Sequence, residues 1–140
     1  MRITYIHQYF SNNKLPGSTR SFEAGRRLVE KGHKINLITT YRRDDIDESD
    51  WFVTDEEGIT VHWIPIIYSN KLSYRERVNT FIRFAYKASV RAARIESDLV
   101  FATSTPLTIA IPGAFAAWRQ KVPMVFEVRD LWPDLPIAVG

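Results

Sequence analysis

Short apolar, β-branched runs alternate with stretches of helical periodicity along this chain, and that alternation narrows what it can fold into. Residues 2–9 make an apolar-rich strand. Ser18-Thr19-Arg20-Ser21-Phe22-Glu23 then offers a helix start, and Phe22, Gly25, Leu28 and Val29 fall at helical spacing until Lys31-Gly32 closes the segment. Residues 33–40 (HKINLITT) supply a second strand, which completes a βαβ unit of the right-handed kind that builds parallel sheets. From Arg42 to Glu57 the pattern lapses into an acid-rich stretch around Trp51-Phe52-Val53, read as a loop or short excursion. A third strand follows over 59–67, where Pro65 argues for an edge position or a strand's end.

The second half repeats the alternation. Val78, Phe81, Ile82, Ala85, Ala88, Ala92 and Ile95 form an apolar stripe on a long helix. Residues 98–103 read as a fourth strand, 107–120 as a mostly apolar helix and 122–128 as a fifth strand. Five strands alternating with helices give an α/β class, a doubly wound parallel sheet. With the first strand central, strands two and three on one side and four and five on the other, the binding crevice falls between the carboxyl ends of strands one and four.

The 140 residues fit one domain, and a composition of 45% hydrophobic and 25% charged residues is that of an ordinary globular protein. With no cysteine, disulfide frameworks, thiolate nucleophiles and Cys-type zinc sites are excluded, and a reducing, cytoplasmic setting is expected. The N-terminal run lacks a signal-peptide pattern. The longest apolar stretch, 107–118, is interrupted by Pro112-Gly113 and falls short of the roughly 20 residues a spanning helix needs. A net charge of +3 is modest for a nucleic-acid binder, so no nucleic-acid partner is expected.

Several residues leave the sheet at its carboxyl edge. His7 ends the first strand and serves as a base, a donor to a sugar hydroxyl, or a histidine satisfied by a neighbouring carboxylate. Gly17 and Ser18 open a helix whose free N–H groups and dipole favour an anion, with Arg20 adding charge; a plain capped turn is the structural reading. Neither phosphate-loop fingerprint is present, so no dinucleotide is assigned. Thr103, Ser104 and Thr105 end the fourth strand. Glu127 and Arg129 share one side of the fifth, with Asp130 and Trp132 beyond; they are a substrate site or an ion pair holding a loop. Trp132 stacks on a sugar or pins the loop. His33 and His62 read as structural, and no His/Asp/Glu spacing suggests a metal.

The 71–94 helix carries Lys71, Arg75, Arg77, Arg83, Lys87, Arg91 and Arg94 against Glu76 alone. Such a helix meets an anionic membrane surface or is simply solvated.

His7-Gln8-Tyr9-Phe10, Pro16-Gly17-Ser18-Thr19-Arg20, the Gly32-His33 junction, Asp98 to Pro106 and above all Phe126-Glu127-Val128-Arg129-Asp130-Leu131-Trp132-Pro133-Asp134 resemble the N-terminal domain of GT-B retaining glycosyltransferases of family 4. The nearest likeness is to bacterial envelope-polysaccharide enzymes such as fucosamine and N-acetylglucosamine transferases. The resemblance implies that residues 1–140 are a Rossmann-like, acceptor-side domain whose donor-binding C-terminal partner is absent, leaving the fragment inactive alone. It implies a nucleotide-sugar donor, a lipid-linked saccharide acceptor, no cofactor and no metal, and a place at the inner face of the plasma membrane. Arg129, Asp130 and His7 would be catalytic. Gly17, Ser18, Arg20, Thr103, Ser104, Thr105, Glu127 and Trp132 would bind substrate. Arg129 stands where many relatives place a histidine, and it cannot be a base at neutral pH. Half of a nucleotide-sugar epimerase, or a non-enzymatic Rossmann-like binding module, remains open.

Overall fold

The computed structural model describes residues 1–43, 45, 50–67 and 72–129. Its elements are β1 (Arg2–Ile6), α1 (Arg20–Glu30), β2 (Lys34–Tyr41), β3 (Phe52–Glu56), β4 (Ile59–Pro65), α2 (Tyr74–Ala92), β5 (Leu99–Thr103), a 3-10 turn (Leu107–Ile109), α3 (Ala110–Gln120) and β6 (Met124–Glu127). They form one six-stranded sheet in the order β3-β4-β2-β1-β5-β6. β4, β2, β1, β5 and β6 run parallel, with β1 central and flanked by β2 and β5. This is the expected order with one strand added.

The addition is β3, which pairs antiparallel with β4. It corrects the reading of 42–57 as loop. Glu57 and Gly58 both hold positive φ, 54° and 86°, the pattern of a two-residue hairpin turn whose twist matches its strands. β3 takes the sheet's edge, so β4 is interior, and Pro65 is its last residue, where a missing N–H costs no ladder bond.

Alternation along the strands divides the core in two. On the α1 side Ile3, Tyr5, Ile35, Leu37, Val61 and Trp63 pack with Phe10 and Phe22. On the other side Ile6, Ile38, Ile64, Val100 and Ala102 meet Phe84, Ala88 and Ala92 of α2 and Ala116 and Ala117 of α3. Small residues let these helices sit close. A Cβ on Gly113 would lie 3.0 Å from the Cβ of Ala102 and 2.6 Å from Cε of Met124. α2 is begun by a capping box, with Ser73 accepting from the Glu76 N–H and Glu76 accepting from the Ser73 N–H.

Its buried positions are Thr80, Phe84, Ala85, Ala88 and Ala92. Ile82, counted in the core stripe from the sequence, is 60% exposed. α2 carries two apolar stripes, and only one of them meets the sheet.

Candidate active site

Parallel strands end together at the carboxyl edge, and the loops leaving β1, β2, β5 and β6 meet there. β1 stops at Ile6, but the chain stays against β2: the His7 N–H donates to the Ile38 carbonyl at 3.1 Å and the Thr40 N–H to the Gln8 carbonyl at 3.2 Å. His7 is therefore fixed by backbone bonds and is only 2% exposed. Burial, reinforced by the Arg129 and Arg42 guanidinium groups, pushes its pKa down to about 3. The ring is neutral at physiological pH. Nη1 of Arg129 lies 3.5 Å from Nε2. A guanidinium only donates, so Nε2 accepts and the proton sits on Nδ1, which is buried and has no hydrogen-bond partner among the described residues. Such an imidazole is a poor base.

Gly17 lies in the loop that joins β1 to α1. Its φ of +132° and the 2.4 Å that would separate a Cβ from Oγ of Ser11 both require glycine. Ser11 donates to the Pro16 carbonyl at 2.9 Å. Arg42, the residue after β2, donates to Oγ of Ser11 at 3.1 Å and to the Pro16 carbonyl at 3.3 Å, and its guanidinium lies 5.6 Å from the Tyr9 ring centre. One arginine thus braces the glycine loop. The Thr19 side chain makes no cap bond to α1, and only a 3.4 Å contact from the Arg20 N–H to Oγ of Ser18 occupies that end. The capping expected at Ser18-Thr19 is weaker than the sequence suggested.

On the other flank β6 delivers Glu127. One carboxylate oxygen pairs with Arg20 of α1 and the other accepts from the Thr103 hydroxyl at the end of β5. The Ser104 N–H donates to the Glu127 carbonyl at 2.9 Å, and the Arg129 N–H donates to Oγ of Ser104 at 2.8 Å. The peptide bonds Ser104–Thr105 and Thr105–Pro106 are both cis. Glu127 ends β6 and is held by Arg20, while Arg129, two residues beyond the strand, has no carboxylate partner among the described residues.

The outcome is an open hollow of about 300 Å³ lined by His7, Tyr9, Gly17, Ser18, Arg42, Thr105 and Arg129. Among the described residues two guanidinium groups face it and no carboxylate does. Of the residues picked from the sequence, His7, Gly17, Ser18, Thr105 and Arg129 line it. Arg20, Thr103, Ser104 and Glu127 form the bonded wall that aims Arg129. Asp130 and Trp132 lie outside the described residues, as does Lys71. Arg42 and Tyr9 went unassigned in the sequence, although Arg42 directly follows a strand at this edge, which was the available signal. Among the described residues there is no cluster that could hold a metal ion.

The cations of α2 do not form a single free face. Arg91 donates through Nε and Nη2 to Nδ1 of His62, at 3.2 and 2.9 Å, and its guanidinium lies 5.4 Å from the Trp51 ring centre. His62 in turn donates from Nε2 to Asn36 at 3.1 Å, and burial with Arg91 lowers its pKa to about 4. Lys87 pairs with Asp50, and Nε of Arg77 donates to the Leu72 carbonyl. Arg75, Arg83 and Arg94 are exposed.

The glycosyl transferase 4-like domain matches this sequence over residues 17–139. The chain belongs to that family. No curated protein matches it. Among solved structures it is similar to the catalytic domain of starch synthase IV from Arabidopsis thaliana bound to ADP and acarbose, with TM-score 0.63 and 14% identity over 91% of this chain and 34% of that one. It is also similar to an E. coli trehalose-6-phosphate structure bound with UDP-2-fluoro glucose, with TM-score 0.59 and 8% identity over 90% and 32%. The C-terminal domain of a Pyrococcus furiosus hydrogenase shares the architecture at TM-score 0.63 and 13% identity, over 90% of each chain. At these identities the likeness shows the fold, and a hydrogenase domain that shares it shows that fold alone does not choose the chemistry. The family match does, making this a glycosyltransferase domain with the Rossmann-like architecture of one GT-B half. The chain spans about a third of the length of the starch synthase and trehalose-6-phosphate chains.

Proposed function

We propose that this domain is the acceptor side of a retaining glycosyltransferase that moves a hexosyl group from a nucleotide diphosphate-sugar to a hydroxyl of a lipid-linked saccharide, in the synthesis of a cell-envelope polysaccharide. One observation carries the reading. Arg129 and Arg42 face a hollow at the carboxyl edge with no carboxylate among its described lining residues, and a bound anion suits that charge.

In the reaction the bond from the sugar's anomeric carbon to the diphosphate breaks, and the acceptor hydroxyl forms its bond on the same face. The hydroxyl proton leaves with the departing diphosphate, and positive charge builds on the sugar ring as negative charge builds on that leaving group. Positioning and charge stabilisation dominate such a step. Arg129, held by its N–H on Ser104, supplies charge to the leaving or acceptor diphosphate. Neutral His7 is assigned to orienting a sugar hydroxyl and takes no part as an acid. The N–H groups at Gly17 and Ser18 offer donors to a phosphate oxygen. Asp130 and Trp132 follow directly in the chain, and their assignment to sugar hydroxyls and ring stacking rests on the family resemblance.

The neighbours bound to UDP-2-fluoro glucose and ADP support a nucleotide-sugar donor. We place most of that donor's contacts on a second domain, so this chain alone binds it weakly and does not turn over. The lipid of the acceptor puts the work at the inner face of the plasma membrane.

The test is product analysis with the enzyme that carries this domain, with and without added acceptor. Sugar transferred to acceptor with retained configuration, and lost in Arg129→Ala, is the expected result. Conversion of the nucleotide sugar without any acceptor would point to an epimerase instead. Submicromolar binding of a nucleotide sugar to this chain alone, by calorimetry, would put the donor in the wrong half.

A further inference from the structure

The second apolar stripe of α2, the one that does not meet the sheet, has a counterpart on α3. Ile82 and Tyr86 of α2 are 60% and 71% exposed, and Ile111, Phe115 and Trp118 of α3 are 58%, 42% and 72% exposed. Spacings of four on α2, and of four and three on α3, put each set in one row along its helix. The helices pack side by side, and the two rows border a groove of about 380 Å³ floored by Ala85, Ser89 and Thr108. Phe115 lines the groove, and its ring packs beside that of Trp118, one turn further along α3, with centres 6.1 Å apart. Five large apolar side chains on one face exceed the scattered exposure of an ordinary surface.

Charge says what this face suits. Within α2 and α3 the one acid is Glu76, consumed in its capping box at the far end of α2. Arg83 follows Ile82 and Arg119 follows Trp118, each about 100° round its helix from the row beside it. Both are exposed. Arg75, a heptad before Ile82, lies nearly in line with it. A protein partner could take the apolar rows, but an acid-free aromatic strip edged by guanidinium groups is the composition of a helix pair lying in an anionic bilayer interface. There indole and phenol rings settle at headgroup level and arginines meet lipid phosphates. We propose that the α2–α3 face docks this domain on an anionic membrane surface, the apolar rows entering the interface and Arg83 and Arg119 contacting headgroups. This moves membrane contact from the cation face of the 71–94 helix, where Arg91 is folded inward, to the aromatic groove between two helices. No helix among the described residues is long and apolar enough to cross a membrane, so contact of this kind is interfacial. The inference rests on the membrane location proposed above but not on the transfer site, because the groove lies on the helical layer and shares no lining residue with the hollow of His7 and Arg129.

The experiment is co-sedimentation of the chain with vesicles of phosphatidylcholine plus phosphatidylglycerol and with vesicles of phosphatidylcholine alone. Wild type should sediment with the anionic vesicles. Tyr86→Ser with Trp118→Ser should weaken partitioning at least about tenfold, and Arg83→Gln with Arg119→Gln should weaken it most at low salt. Circular dichroism should be unchanged in both, since all four residues are exposed. Wild-type partitioning of the aromatic variant would overturn the proposal, as would no binding of wild type at low salt. So would a dimer, seen by sedimentation velocity without vesicles and dissolved by the aromatic changes, which would give the groove to a second copy of the chain. Activity on a water-soluble acceptor reads the transfer assignment separately from all of these.

Discussion

The two edges of the same sheet handle charge in opposite ways. At the amino edge, where β1 and β5 begin, Arg2 pairs with Asp98 at 2.7 Å and with Glu96, and the Arg2 N–H donates to the same Asp98 carboxylate at 2.7 Å. These bonds hold the Asp98 pKa down to about 2. Thr4 bonds Ser97, and the Ser97 N–H is capped by Gln120. Charge there is matched by charge and it ties strands to a helix end. At the carboxyl edge Glu127 is matched by Arg20, but among the described residues Arg129 and Arg42 reach only neutral groups: an imidazole, a hydroxyl, a carbonyl and a ring face. Arginine does not choose between these uses; the presence or absence of a carboxylate partner does. A bonded wall that points a guanidinium at an open hollow is the arrangement expected of a site.

Changes at the two edges should therefore separate activity from stability. The largest effect expected is on transfer: Arg129→Ala in the enzyme carrying this domain should lower kcat/KM by about 100-fold, roughly 2.7 kcal/mol, with Tm unchanged. A variant that keeps wild-type turnover would dissolve the contrast.

Acid should come next. His7 and His62 have folded-state pKa values lowered to about 3 and about 4, against 6.5 for a free histidine. Between those values the unfolded chain binds more protons than the folded one, so each contributes stability that is present above pH 6.5 and lost as pH falls below it. At pH 5 the loss should be roughly 2 kcal/mol per histidine, and His62→Gln should flatten the slope in urea melts recorded from pH 7 to 5. An unchanged slope would mean that His62 is not held neutral by burial and Arg91.

Gly17→Ala should be milder, about 1–2 kcal/mol less stable by chemical denaturation, because Ser11 must turn away and the backbone is strained. Its effect on transfer should exceed what the stability loss alone explains. Smallest should be Arg2→Gln, which lowers Tm, leaves kcat/KM alone, and loses its effect as pH falls toward 2 and Asp98 protonates. A large activity loss from Arg2→Gln would erase the distinction between the edges.

The sequence made the sheet order legible because each parallel strand was announced by a β-branched run and separated by a helix-length segment. β3 escaped, since Val53-Thr54-Asp55-Glu56 alternates but carries acids, and its pairing is dictated by the turn at Glu57-Gly58 rather than by its own apolarity. Helical spacing placed Ile82 in the core because period alone cannot say which of two stripes meets the sheet. The same ambiguity hid the α2–α3 groove. At the site, strand ends pointed to His7 and Arg129 and a helix start to Gly17, whereas the partner of Glu127 could not be read. Strand alternation set it beside Arg129, while the pairing goes to Arg20, 107 residues earlier in the chain. Arg91 was assigned to a free cation face for a like reason: His62, its acceptor, is brought to it only by tertiary packing.

The most direct test is amide chemical-shift mapping by ¹⁵N NMR, titrating this chain with a soluble saccharide diphosphate that stands in for the acceptor head. The account predicts saturable shifts at His7, Gly17, Ser18, Arg42 and Arg129, with Arg2, Ser97 and Asp98 unmoved. Shifts confined to the amino edge, or none at any concentration reached, would contradict it.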